Sequence, residues 1–350
     1  MRACPMTDAL PRLPDLRVIA PNFKRRLSGV TATIVRLVPL QARMIGIAVV
    51  GPGLPVALPR LPLWRLLFLD AQTRVWHARR NTEMLAGLVL KHLFRKRLRL
   101  LFTSASQRVH TGYTRWLIGR MDRVVATSAR TAEYLERPAD VVMHGIDTDG
   151  FSPAGDRGAL RARLGLPDGV LVGCYGRIRH QKGTDAFVEA MMAVARPGVT
   201  ALVMGRATGE HEGFLRDLRA KVREAGMEDR IRFLPEVTVS EMADWYRVLD
   251  LYVAPQRWEG FGLTPLEAMA CGVPVVATDV GAFPELVPDD AGRIVAAGDV
   301  AAMAAAVAAY LDSEALRGQQ GAAARAHVLA HFRLEQEAGR LVEIYREMLA

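Results

Sequence analysis

The apolar run Leu249 to Val253 leads into Ala254-Pro255-Gln256-Arg257-Trp258-Glu259-Gly260-Phe261-Gly262, and a helical pattern follows before a second apolar run, Val273-Pro274-Val275-Val276. A short continuous apolar run reads as a buried parallel strand and a Gly-rich stretch as a tight turn. The result is a strand, loop, helix, strand unit, which commits the chain to a parallel α/β sheet. Glu259 in the loop and Glu267 on the helix can both face the crevice beyond the carboxyl end of the strand, where open sheets of this kind bind ligands. The backbone N–H groups of Phe261, Gly262, Leu263 and Thr264, at the helix start, suit an anion such as a diphosphate. Carboxylates beside an anion site fit a ligand with both hydroxyls and phosphates, and a nucleotide sugar is such a ligand.

The alternation of strand and helix extends both ways from this unit. Val170 to Gly176, Val199 to Gly205, Ile231 to Leu234 and Asp250 to Val253 read as parallel strands, with helices over Glu212 to Ala225 and Ser240 to Val248. After the first of these strands comes Arg177-Ile178-Arg179-His180-Gln181-Lys182-Gly183. The planar fork of Arg177 and the compact charge of Lys182 can neutralise a diphosphate. In the first half, strands are expected at Leu16 to Ala20, Met44 to Val50, Trp64 to Leu69, Val75 to His77, Leu98 to Thr103, within Asp122 to Ser128, and at Val141 to Met143. Ser28 can cap a helix starting near Val30, Ser128 a second, and Gly29 lets backbone approach a ligand closely. His144-Gly145-Ile146-Asp147-Thr148-Asp149-Gly150 is a turn and linker signal, which puts a boundary near Asp149.

At 350 residues, half of them apolar, the chain is long enough for two doubly wound domains, 1–148 and 149–333, with a last helix in 334–350. Cys4, Cys174 and Cys271 are scattered and form no metal-ligand spacing. Charge is placed unevenly: residues 1–148 carry 24 Lys and Arg against 9 Asp and Glu, whereas the remainder carries 22 against 28. Such a one-sided excess points to a polyanionic partner: nucleic acid, an anionic membrane surface or an acidic glycolipid. No secretory signal or spanning segment is visible, since the longest apolar region, Met44 to Leu69, is broken by prolines and glycines, so any membrane contact is expected to be peripheral. The stretch Thr82 to Arg97 joins an apolar body to a cationic end, the pattern of a helix lying on a membrane; its alternative is a core helix whose last turn complements the helix dipole.

Taken together and in order, Glu259, Gly260, Phe261, Gly262, Glu267, Ala268, Cys271-Gly272-Val273-Pro274 and Gly281 resemble retaining glycosyltransferases of the GT-B fold, whose signature is two Glu eight positions apart. The resemblance implies two Rossmann-like domains facing across a cleft, with the last helix, about Leu334 to Met348, crossing back to the first domain. It also implies that Gly176 and Gly205 border the donor nucleotide, that Glu267 holds the ribose hydroxyls, and that Glu259 holds hydroxyls of the transferred hexose. Arg177 and Lys182 match the Gly-Arg and Lys-Gly positions at which the family neutralises the diphosphate. The first loop, with Gly29, would lie near donor phosphate and acceptor.

A narrower resemblance rests on Val75-Trp76-His77-Ala78-Arg79-Arg80-Asn81-Thr82-Glu83-Met84, on Phe102 to Arg108, and on Thr114-Arg115-Trp116-Leu117-Ile118. These runs are similar to lipopolysaccharide core mannosyltransferases of alphaproteobacteria, which implies GDP-mannose as donor, no cofactor and no metal. It further implies a Kdo-bearing lipid A precursor as acceptor at the inner face of the cytoplasmic membrane, with His77, Arg79 and Arg80 on the acceptor side. One departure stands out. Where the wider family has a sugar-contacting His, this chain reads Thr103-Ser104-Ala105-Ser106, so His77 and His110 are the candidates for that role. Two readings of other kinds stay open at this point: a hexosyltransferase using a UDP- or ADP-sugar, and an inactive GT-B-fold protein binding membrane or nucleic acid. The basic residues are expected to lack interleaved aromatic stacking partners, which speaks against nucleic acid.

Overall fold

The computed structural model describes residues 13–25 and 29–350. They form two compact units, one of residues up to Gly145 together with Leu334–Ala350, the other of Ile146–Arg333. In the first unit, strands β1 (Val18–Pro21), β2 (Ile47–Val50), β3 (Arg74–Ala78), β4 (Leu98–Ser104), β5 (Arg123–Ala126) and β6 (Asp140–Val141) make one parallel sheet in the order β2-β1-β3-β4-β5-β6. Most of these strands are buried on both faces, which explains why they read as continuous apolar runs. Helices α1 (Gly29–Gln41), α2 (Asn81–His92), α3 (Gly112–Ile118) and α4 (Ala129–Glu133) cross between the strands. Ser128 caps α4 by accepting from the Thr131 amide, as its sequence position suggested. Ser28, expected to cap α1, lies outside the described residues.

Two first-half expectations are corrected. Trp64 to Leu69 is not a strand: Leu63–Phe68 forms a 3₁₀ helix after Pro62. Leu66 and Leu69, three positions apart, are buried while the other apolar residues stay outside, which is the spacing of one face of a 3₁₀ turn and not the alternation of a strand. The helix expected to reach Arg97 stops at His92. Arg95 takes a left-handed backbone conformation (φ 51°), so Arg95, Lys96 and Arg97 fall outside the helix, whose last turn keeps Lys91 and His92.

The second unit repeats the plan with β7 (Val170–Tyr175), β8 (Val199–Met204), β9 (Ile231–Leu234), β10 (Leu251–Ala254), β11 (Val275–Thr278) and β12 (Gly292–Val295) in the order β12-β11-β10-β7-β8-β9. Its helices are α5 (Arg157–Arg163), α6 (Thr184–Ala193), α7 (Glu212–Glu224), α8 (Met242–Arg247), α9 (Thr264–Ala270), α10 (Phe283–Leu286), α11 (Val300–Asp312) and α12 (Glu314–His331). The core between β7, β8, β10 and helices α6 and α11 is filled by Val172, Phe187, Met191, Val203 and Val307.

The chain then returns to the first unit as α13 (Leu334–Leu349), whose Leu341, Val342 and Tyr345 pack with Ile34, Leu37 and Val38 of α1. The break between units falls three residues before the expected boundary, at Gly145/Ile146, for a reason visible in the hydrogen bonds. Glu337 of α13 accepts from Gly145 N–H and contacts His144, each at 2.8 Å, whereas Ile146 N–H donates to Phe332 and Arg325 donates to Thr148 and Phe151. Among the described residues no helix is long and apolar enough to cross a membrane.

Candidate active site

In the second sheet the strand order reverses between β7 and β10, so their carboxyl ends flank the crevice in which such sheets bind ligands. Gly176, directly after β7, has φ 138°, and a Cβ on Gly205 at the end of β8 would lie 1.8 Å from the Gly176 carbonyl oxygen. The two expected donor-side glycines therefore touch. Arg177 follows, exposed to solvent, and the chain makes a 3₁₀ turn, His180–Lys182, closed by Gly183. Gly183 has φ 68°, and a Cβ there would meet the Pro255 carbonyl oxygen at 1.7 Å, so only glycine lets this loop lie on the end of β10.

Arg257 fastens the two loops together. Its N–H donates to Gln181 (3.0 Å), and its guanidinium donates to the His180 carbonyl (2.8 Å) and to both Asp185 oxygens (2.6 and 2.9 Å). Burial acts to raise the Asp185 carboxyl, but the bonds and charge of Arg257 outweigh it and hold the group below the usual carboxylate range. The clamp places the Lys182 ammonium on Oε2 of Glu259, while Oε1 accepts from the Gly260 N–H at 3.0 Å. Gly281 (φ 62°) lies against the Glu259 side chain, and Gly262 (φ 90°) against the Phe283 ring. Arg177, Lys182 and Glu259 thus belong to loops leaving the two strands of the switch point, with Lys182 and Glu259 in direct contact.

Glu267, on α9, is held differently. The Tyr246 hydroxyl donates to its Oε2 at 2.8 Å from within a buried cluster of Tyr175, Tyr246 and Tyr252. Burial first and the Glu267 charge second push the Tyr246 hydroxyl well above its ordinary range, so it remains a donor. Phe261 is buried, Leu263 stands at the cap position of α9, and Pro265 occupies its first turn, where a missing N–H costs nothing. Burial pushes the Cys174 and Cys271 thiols up to about 12, which leaves neither as a thiolate nucleophile.

The first sheet has its own switch point, between β1 and β3. Asn22, buried after β1, accepts from the Arg80 guanidinium (2.8 Å) and the Thr31 hydroxyl (3.1 Å) and donates to the Lys24 and Pro52 carbonyls. Arg80 also donates to Thr31 and to Glu83, and the fully buried Glu83 accepts from the Arg79 N–H at 2.8 Å. Arg79 and Arg80 are therefore parts of a bracket that ties the first loop and α1 to the start of α2. A Cβ on Gly29 would stand in open space.

The two histidines do not share this place. His77 is fully buried, with Nδ1 on the Tyr345 hydroxyl and Nε2 on the Thr103 hydroxyl, both at 2.7 Å, so neither ring nitrogen is left to contact a sugar. Burial first, then the charge of Arg79, depresses its titration well below the ordinary histidine value. His110 lines a separate pocket of about 120 Å³ with Ile118, Tyr134 and Arg137, and its Nε2 has no hydrogen-bond partner among the described residues. Arg257, Tyr246, Asn22 and Thr31 were not singled out in the sequence. Glu83 three positions after Arg80 at a helix start was a readable signal; the others depend on long-range contacts. Among the described residues no group of three or more His, Cys, Asp or Glu is arranged to hold a metal ion.

Residues 169–313 match the family described as "Glycosyl transferases group 1". The lipopolysaccharide core biosynthesis mannosyltransferase LpsB of Rhizobium meliloti (strain 1021) is 53% identical over 348 residues, 96% of this chain and 98% of that protein. LpcC of Rhizobium leguminosarum bv. viciae, of the same description, is 52% identical over 349 residues, 97% of this chain and 99% of the relative. Among solved structures, HepE of Anabaena in complex with UDP superposes with a TM-score of 0.83 at 18% identity, covering 95% of this chain and all of that one. Sucrose-phosphate synthase of Thermosynechococcus elongatus gives 0.79 at 21%, over 95% and 99%. The two parallel six-stranded sheets are thus those of GT-B glycosyltransferases, and the chain belongs to the glycosyltransferase group 1 family.

Proposed function

We propose that this enzyme is a retaining, metal-independent mannosyltransferase that moves mannose from GDP-mannose to a Kdo residue of a lipid A precursor, at the inner face of the cytoplasmic membrane. The observation that carries the reading is identity above 50% to two lipopolysaccharide core mannosyltransferases over nearly their whole length. That span includes the donor-side loops of the second unit and the His77 to Met84 run of the first.

In this reading Arg177 and Lys182 neutralise the diphosphate, helped by the amides from Phe261 to Thr264. Glu267, held by Tyr246, binds the ribose hydroxyls, and Glu259 binds hydroxyls of the mannose. The departing phosphate oxygen takes the proton of the acceptor hydroxyl, so the chain itself needs neither a base nor a metal at that step. The basic excess of the first 148 residues suits an acceptor embedded in an anionic membrane.

The test is incubation of the full chain with GDP-, UDP- and ADP-sugars and a Kdo-bearing lipid acceptor. Mannose transfer from GDP-mannose is expected. Preferential use of a UDP- or ADP-hexose would replace the donor assignment, and turnover of none would favour the inactive binding protein.

A further inference from the structure

The first unit displays aromatic side chains that its core does not use. In the 3₁₀ turn Leu63–Phe68, Leu66 packs into the same core as Met84 and Leu88 of α2, whereas Trp64 and Phe68 are 60% and 68% exposed. Their rings meet edge to face at 5.9 Å, and the Arg65 guanidinium lies 5.6 Å over Trp64. On α3, Tyr113 and Trp116 stack at 6.2 Å, also half exposed, with the Arg120 guanidinium 3.9 Å over the indole. Aromatic and basic side chains are thus interleaved here, contrary to expectation; each pair is an apolar plate with a cation on it, the amphipathic form that settles at a bilayer interface.

Contacts around α2 join the two pairs into one surface. Lys96, just past α2, donates to the Leu69 carbonyl at 3.0 Å, beside the first pair. Lys91 of α2 pairs with Asp122 at 2.8 Å, two residues from Arg120, and α2 packs on α3. Between them α2 and its exit add exposed Val89, Leu93 and Phe94. Exposed apolar side chains gathered around one helix in this way mark an interaction site. Its border is cationic: Arg95, Arg97 and Arg99 are exposed, and none of the ion pairs among the described residues engages them. A second copy of the chain is a poor occupant, because a two-fold contact would set this arginine-rich border against itself.

We propose that this surface docks on an anionic lipid bilayer, with Trp64 and Phe68 entering the headgroup layer, Tyr113 and Trp116 resting on it, and the arginines meeting lipid phosphates. The proposal rests on the membrane-side location argued above but not on the identity of donor or acceptor. It adds to the stretch around the end of α2, which stops at His92, the aromatic residues of the turn before β3 and of α3.

The experiment is cosedimentation of the full chain with phosphatidylglycerol-phosphatidylcholine vesicles over a range of salt. Binding at low salt that weakens as salt rises is expected, with the double variant Trp64→Ser, Phe68→Ser weakened roughly tenfold or more and Trp64→Phe close to wild type. Brominated lipid provides a readout without a disruptive change: quenching of tryptophan fluorescence should be greater in the wild type than in Trp64→Phe. Wild-type-like binding by the double variant, equal quenching, or no binding at low salt would each overturn the proposal, as would a dimer that the double variant dissociates. GDP-mannose hydrolysis is followed in parallel. Vesicle binding without hydrolysis or transfer would sink the enzymatic assignment and support the surface, whereas hydrolysis without vesicle binding would do the reverse.

Discussion

The Lys182 ammonium bonds the Glu259 carboxylate although 77 positions separate the two residues in the chain. They meet because β7 and β10 are neighbours at the point where the strand order reverses, and because Arg257 ties the loop after one to the loop after the other. A cation held on a carboxylate in this way is kept in place. In the proposed reaction Lys182 must serve the diphosphate as well as Glu259, so its loss removes charge stabilisation at the leaving group and frees a carboxylate next to a dianion.

Lys182→Ala should therefore lower kcat by about a hundredfold or more, the scale of losing one electrostatic contact to developing charge. Initial rates of mannose transfer at saturating donor check it. Turnover near that of the wild type would remove Lys182 from the chemistry.

Tyr246→Phe isolates the support of Glu267. The change deletes the 2.8 Å bond to Oε2 and leaves the buried ring in place, so the fold should lose only about 1 kcal/mol. If the hydroxyl positions Glu267 for the ribose, the donor KM should rise roughly fivefold, about 1 kcal/mol of binding, with kcat little changed. An unchanged donor KM would make Tyr246 a packing residue only.

How far these features can be read from the chain depends on their range. Val199 to Gly205 was legible as a strand because parallel strands buried on both faces are nearly continuous apolar runs, and Lys182 and Glu259 stood out because they fall at the motif positions in which the chain resembles the family. Trp64 to Leu69 has the same apolar composition and becomes a 3₁₀ turn, since only Leu66 and Leu69 find a core to enter, and that core is built from residues distant in the chain. His77 looked available for a sugar because nothing near it in sequence announces Tyr345, 268 positions away, on one of its nitrogens. The Arg257–Asp185 clamp was silent for the same reason.

The buried His77 makes the chain sensitive to acid. Unfolded, its imidazole gains a proton as pH falls below about 6.5, while burial and Arg79 keep it neutral in the fold. The unfolded state then binds more protons, and stability falls with pH through the range from about 7 to 5, by up to about 1.4 kcal/mol per pH unit for this one site. His77→Gln should be less stable than the wild type at pH 7.5, with that deficit shrinking at pH 5.5. Urea unfolding at the two pH values measures it; a deficit independent of pH would show that His77 titrates in the fold as it does in solution.

The surroundings of the two carboxylates bear on the course of the reaction. Retention through a covalent intermediate requires a carboxylate that is free to attack the anomeric carbon from the face opposite the diphosphate. Glu259 is poorly placed for such an attack, because Lys182 engages one oxygen, the Gly260 N–H the other, and Gly281 lies against the side chain. Glu267 is held by Tyr246. Departure and attack on the same face, with Lys182 and Arg177 stabilising the leaving phosphate, asks of Glu259 only that it hold the sugar. Activity should accordingly persist in EDTA, the product should be α-linked, and no mannosyl-enzyme should accumulate. Glu267→Ala should act mainly on donor KM, while Glu259→Ala should also lower kcat, by roughly a hundredfold, because it loosens the sugar in the transition state. Mass spectrometry of the enzyme quenched during turnover decides the matter: a mannosyl adduct on either Glu would replace the same-face mechanism with a double displacement.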